Sequence, residues 1–269
     1  YSQDSKTLIP DCIRTPLYPF FIFLLKKLFL NFYGIIFIQI IISSATCSLS
    51  SHIAGQIISN KKVGILAGIF LAVDLPSVFF ANTLMTETLF TFLLLLSAYF
   101  LISFLKIHKS SYLIVSGIFL GLTILCRPIA VYLPVIFAIA ILLSRKTFPA
   151  SLRFLKIRSA FFLLLISYTI ITPWLLRNHL TFGSPILSPI GKINLLYYTA
   201  SGIRAEKENK MLFQIQNEYR ETSINNFNWE KTEEIVSYEK YCAEEAMKII
   251  LENTFTFLKN QSILFFYFF

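Results

Sequence analysis

Long uncharged runs alternate with short polar breaks through the first two thirds of the chain. The run from Leu89 to Leu105 contains no charge, yet it opens on Thr86-Glu87-Thr88. Crossing a hydrocarbon core takes about 20 apolar residues. On that scale the pattern predicts spans over Ile35–Ile58, Val63–Ala81, Thr88–Leu105, Tyr112–Cys126, Ile129–Leu143 and Ser159–Leu176, with a seventh beginning near Thr254. Barrel strands would alternate over about ten residues. These runs do not alternate, which leaves helices as the way to pair backbone groups in lipid.

Basic residues set the direction of these spans. Lys61 and Lys62, Lys106 and Lys109, and Arg145, Lys146, Arg153, Lys156 and Arg158 follow the first, third and fifth spans, with no acid among them. That side is expected to be cytoplasmic. The opposite turns hold Asn82 to Glu87, Arg127-Pro128 and the long segment after Arg177. The stretch Pro16 to Leu30 is short and carries Lys26-Lys27, so it is expected to lie in the outer interface with its lysines reaching headgroups. From Asn178 to Asn253 the chain is polar, with turn residues first (Gly183, Pro185, Pro189, Gly191, Gly202). An amphipathic helix follows in WEKTEEIVSYEKYCAEEAMKIILEN, where Ile235, Tyr238, Cys242, Ala246 and Ile249 recur at helical spacing. The expected organisation is a bundle over 1–177, an extracytoplasmic region over 178–253 and a further helix over 254–269. The fold class is all-α, a polytopic bundle with an interfacial helix and a small helical loop region.

Composition agrees: 55% of residues are hydrophobic and 14% charged, against about a quarter charged in soluble domains. Net charge is +9, a value that invites a nucleic-acid reading. Its distribution argues otherwise. Between His179 and Asn253 lie eleven of the fifteen acids and eight of the 24 bases, so the remainder holds sixteen bases and four acids. That is the imbalance expected of cytoplasmic loops. The cysteines at 12, 47, 126 and 242 lack metal-ligand spacing. Because the first residue is Tyr1 and the last, Phe269, ends the apolar run SILFFYFF, the sequence reads as part of a longer polytopic chain.

Few residues are placed to do chemistry. Glu87 has two readings: a carboxylate favoured by the positive end of its helix, or an intramembrane acid with a working role. Arg127 stands between two spans on the acid-bearing side, followed by Pro128, which starts the next helix at once. It is either an arginine reaching headgroups at a tight turn or a clamp for a phosphate. Pro173 is expected to weaken its helix, leaving Arg177 and Asn178 at the outer mouth with Arg14 at the same level. Together they suggest a polar site between bundle and outer loop, built for an anionic headgroup. His52 is read as a helix-packing hydrogen-bond partner, and Asp74 as reaching outward through a turn loosened by Pro76.

Four stretches then appear in order: Arg14–Pro19 (RTPLYP), Met85–Phe90 (MTETLF), Gly121–Pro128 (GLTILCRP) and Thr172–Gly183 (TPWLLRNHLTFG), with Gly191 and Asn194-Leu195 downstream. This set resembles the polyprenyl-phosphate-sugar glycosyltransferases of the membrane GT-C class. Within it the chain is most similar to bacterial members of glycosyltransferase family 39, akin to protein O-mannosyltransferases and the aminoarabinose transferase of lipid A. The resemblance implies inverting transfer of a sugar from a polyprenyl-phosphate donor to a hydroxyl or amine of a lipid, glycan or protein. It places that activity outside the plasma membrane in a multi-pass chain, with membrane lipids as partners and no nucleic acid. It makes Glu87 the second of two family carboxylates, the first lying upstream of this stretch. Arg127, Arg177 and Arg14, with Asn178 and Asn194, become donor contacts. A divalent metal ion is a further implication. The rival class is a transporter or lipid flippase with an anionic-headgroup site, whose charges would lie near the membrane midplane.

Overall fold

The computed structural model describes residues 11–29, 31–144, 153–228, 231 and 234–268, and among them there is no strand. Asp4, Leu30, Arg145, Lys146 and the start of the amphipathic stretch at Trp229 lie outside the described residues. The chain divides into two compact units, Thr15–Trp174 and a second made of Tyr1–Arg14 with Leu175–Phe269.

The first unit begins with α1 (Leu17–Phe29), α2 (Phe32–Ile58), α3 (Lys61–Val73) and α4 (Leu75–Ala81). It continues through α5 (Glu87–Ile107), α6 (Ser110–Cys126) and α7 (Leu133–Leu143) to α8 (Arg153–Phe182), in which the unit boundary falls. Side-chain caps start several of these helices. Asn31 accepts from the Gly34 N–H at 2.8 Å, and Asn60 accepts from Lys62 at 2.9 Å. Left-handed Ser59 and His108 end α2 and α5. Among the described residues three helices, Phe32–Ile58, Glu87–Ile107 and Phe154–Phe182, are long and apolar enough to cross a membrane.

Three expected spans change form. Val63–Ala81 is a broken pair bent by 60°. Asp74 does not simply reach outward: it caps α4, accepting from the Ser77 N–H at 2.9 Å, because Pro76 in the first turn of α4 cannot continue the α3 ladder. Ile129–Leu143 splits into a 3-10 turn, Pro128–Tyr132, and α7, with Pro134 opening the latter. Pro173 does not end α8, which runs on to Phe182 and stops before Gly183 at φ +74.

The unit is apolar outside, and inside it mixes large apolar side chains such as Leu120, Ile124, Ile141 and Leu163 with small and hydroxylated ones. Only 17% of the most apolar window of α2 is buried, while Thr46, Ser97, Ser116, Thr123 and Ser167 are all buried. Small residues let backbones approach where lipid supplies no hydrophobic drive. A Cβ on Gly64 would lie 2.5 Å from the Ser51 carbonyl of α2, and one on Gly121 would lie 2.5 Å from Ile170 Cβ of α8. Between α5 and α6 the Ser116 hydroxyl donates to the Ser97 carbonyl at 2.9 Å. His52 bonds Gln56 one turn on, at 2.9 Å, and its ring meets Tyr99 of α5 at 5.5 Å.

In the second unit the stretch expected to be turns is mostly helical. It forms α9 (Ile190–Asn194), a π turn (Leu195–Ala200), α10 (Ser201–Glu208) and α11 (Leu212–Asn226). Gly191 and Gly202 sit inside α9 and α10, with nothing within 4 Å of an added Cβ. The amphipathic helix is α12 (Glu234–Glu252), which buries Ile235, Tyr238, Cys242, Ala246 and Ile249 as its spacing requires. The last helix, α13, is Thr254–Phe268. Arg204 and Lys210 both pair with Glu208 and Glu218, which ties α10 to α11. Cys12 and Cys242 are buried free thiols.

Candidate active site

Glu87 is the first residue of α5, and Arg127 is the first residue beyond α6. The two helices run antiparallel and are pinned at Ser97 and Ser116. Glu87 lies ten positions from Ser97 and Arg127 eleven from Ser116, or ~15 and ~16.5 Å along the helices at 1.5 Å per residue. The two side chains therefore emerge at the same level. Arg127 Nη1 lies 2.7 Å from Glu87 Oε1.

Each end is held by its neighbours. A residue before proline is excluded from helical geometry, so Pro128 forces Arg127 to φ −142°, ψ 124° and turns it out of α6. The Cys126 carbonyl accepts from the buried Thr15 hydroxyl at 3.0 Å. The Cys126 thiol meets the Thr86 carbonyl at 3.7 Å, linking the end of α6 to the start of α5. On the other side, Gln39 of α2 donates to the Thr83 carbonyl at 2.9 Å, which fixes the turn leading to Glu87.

The pair is polar but sheltered, with Arg127 38% and Glu87 23% exposed. At that exposure the attraction contributes up to roughly 1 kcal/mol to stability. The guanidinium lies 5.6 Å from the Phe90 ring centroid. Glu87 Oε2 accepts from the Thr86 hydroxyl at 3.2 Å. A carboxylate has about four acceptor positions and a guanidinium five N–H donors, so each partner can bind another group while the pair persists. The arrangement offers a hydrogen-bond acceptor and an anion-binding fork side by side.

The other sequence-derived candidates fall in the second unit. Arg177 Nη1 donates to the Asp11 carbonyl at 3.1 Å and to Asn178 Oδ1 at 2.8 Å, and its guanidinium lies 5.2 Å from the Phe182 ring. Asn178 is fully buried, and its amide also donates to the Ile186 carbonyl at 2.7 Å. Its side chain braces the turn after α8. Arg14 and Asn194 are exposed. Four residues near Glu87 or Arg127 escaped sequence reasoning: Thr15, Tyr18, Gln39 and Thr88. Tyr18 packs with Leu89, Leu93 and Cys126. Thr15 and Tyr18 lie in the RTPLYP stretch and Thr88 in MTETLF, while Gln39 stands out as a polar residue inside an apolar run.

Among the described residues no three His, Cys, Asp or Glu side chains come together. The Glu87 carboxylate faces the Arg127 guanidinium at 2.7 Å.

A multi-pass helical bundle with a braced carboxylate–guanidinium pair at paired helix ends defines a polytopic membrane protein with a polar site, and sequence comparison supplies its class. The model of the family described as dolichyl-phosphate-mannose-protein mannosyltransferase matches residues 13–175. The chain belongs to that family and is a membrane glycosyltransferase of the GT-C type. Glu87, Arg127 and Arg14 fall within the matched residues, whereas Arg177, Asn178 and Asn194 lie beyond them. No curated protein and no solved structure matched the chain.

Proposed function

We propose that this protein transfers a sugar, with inversion, from a polyprenyl-phosphate donor to an acceptor hydroxyl or amine on the extracytoplasmic face of the plasma membrane. The observation that carries the reading is the 2.7 Å pairing of Glu87 with Arg127 at the ends of α5 and α6. Glu87 receives the acceptor proton as the new bond forms, since a hydroxyl is a weak nucleophile until a base takes its proton. Arg127 meets the departing lipid phosphate, whose growing charge is stabilised by donors already aimed at it. One N–H on the carboxylate and others on the phosphate let a single guanidinium set the spacing of base and leaving group.

Helix ends favour this reading over a transporter, whose ionisable groups lie on broken helices near the midplane. The broken element here is the α3–α4 pair, and its Asp74 is engaged as a cap.

The test is transfer from a labelled polyprenyl-phosphate sugar, comparing wild type with Glu87→Gln and Arg127→Ala. Both variants should lose transfer while keeping expression and melting within about 2–4 °C of wild type. Undiminished transfer by Glu87→Gln would remove the carboxylate from the chemistry and leave the pair a structural contact.

A further inference from the structure

A small cavity of about 40 Å³ lies behind Glu87, and its polar lining comes from three helices: Ser43 and Thr46 of α2, Ser77 of α4, and Glu87, Thr88 and Thr91 of α5. One water needs roughly 10–15 Å³ on the same measure, so the space holds about three waters. The lining dictates what can enter. Thr46 donates its hydroxyl proton to the Ile42 carbonyl at 2.7 Å, and Thr91 donates to the Glu87 carbonyl at 2.9 Å. These hydroxyls can present only lone pairs to the cavity, and the Glu87 carboxylate adds more. Thr88 differs: the residue is 6% exposed, and its buried hydroxyl has no hydrogen-bond partner. Leaving a buried hydroxyl unpaired is costly. A water, which can accept from Thr88 and donate to the oxygens around it, complements this lining.

We propose that this cavity is a water site. A water there accepts from the Thr88 hydroxyl and donates to the Glu87 carboxylate and to a threonine or serine oxygen. Thr88 thereby becomes a positioning residue that acts on Glu87 through the water. Glu87 is then held on three sides, by Arg127, by Thr86 and by this water, with an acceptor position left for the substrate proton. The inference rests on the reading of Glu87 as the base, and its test separates the two.

Thr88→Val keeps the shape of the side chain and removes its hydroxyl. It should lower kcat about tenfold, the effect of one lost hydrogen bond, with KM for the donor unchanged. Thr88→Ser should restore kcat, which a purely steric role for the threonine would not require. Glu87→Gln runs alongside. Its inactivity together with a fully active Thr88→Val would sink the water site and spare the base, whereas its full activity would overturn the base. A high-resolution structure of the wild type decides the site without any variant and regardless of whether Thr88→Val folds. A single peak within hydrogen-bond distance of Thr88 Oγ1 and Glu87 supports the proposal, while a dry or collapsed cavity overturns it. A peak ringed by oxygens at ion-coordination distances, with activity lost when sodium is replaced by choline, would show a cation and overturn the water.

Discussion

The closeness of α6 to α8 makes a quantitative prediction at Gly121. An alanine there places a Cβ 2.5 Å from Ile170 Cβ, 2.8 Å from its Cγ2 and 2.9 Å from the Ser167 carbonyl. Carbon pairs rest at about 3.5–4.0 Å, so at least ~1 Å of separation must open. The atoms in the way are a branched Cβ and a backbone oxygen, neither of which can swing aside. The helices themselves must part, at a cost of about 1–3 kcal/mol. For a protein of this size that lowers the melting temperature by about 2–4 °C per kcal/mol. The measurement is thermal unfolding of purified Gly121→Ala against wild type, with Gly202→Ala as the control. Gly202 lies in α10 with nothing within 4 Å of an added Cβ, so its alanine should leave the melting temperature unchanged or raise it. Because Arg127 lies six residues beyond Gly121, ~9 Å along α6, the same shift should lower sugar transfer. Equal melting of Gly121→Ala and wild type would show that α6 and α8 do not pack this closely.

Other outcomes follow from the same geometry. Arg127→Lys keeps the charge but loses the forked donors, and should cut transfer about a hundredfold in the labelled-donor assay. Ser116→Ala removes the hydrogen bond to the Ser97 carbonyl and should lower stability by about 0.6 kcal/mol, read as a small drop in melting temperature. Arg204 and then Lys210 hydrogen-bond Glu208 and hold its carboxyl at about 2, below its ordinary 4.5. A depressed native value contributes stability above the unfolded value and loses it as pH falls toward the native one. Glu208→Gln should therefore melt below wild type at neutral pH, with the gap closing between about pH 4.5 and 2. Burial raises the Cys12 thiol to about 11, so a maleimide should label it only once the protein unfolds, as followed by mass spectrometry.

The sequence by itself determined the membrane bundle and most of its helices. Uncharged runs near 20 residues permit no other backbone arrangement in lipid, and α2, α5 and α12 keep close to the limits their patterns set. It also singled out Glu87 and Arg127, because a lone charge bounding an apolar run stands out on any hydropathy scale. It misread Gly191 and Gly202 as breakers, because packing with α12 around Leu196, Ala200 and Ile203 outweighs the modest helix penalty of glycine. Only the tertiary structure decided that Glu87 and Arg127 touch, 40 positions apart in sequence. Their meeting depends on where α5 and α6 lock together, and a serine hydroxyl fixes that register with no trace in the local pattern. The structure alone also showed that the Thr88 hydroxyl is unpaired and that Asn178 is a buried brace, since hydrogen-bond satisfaction belongs to the packed neighbourhood of a side chain and not to its place in the sequence.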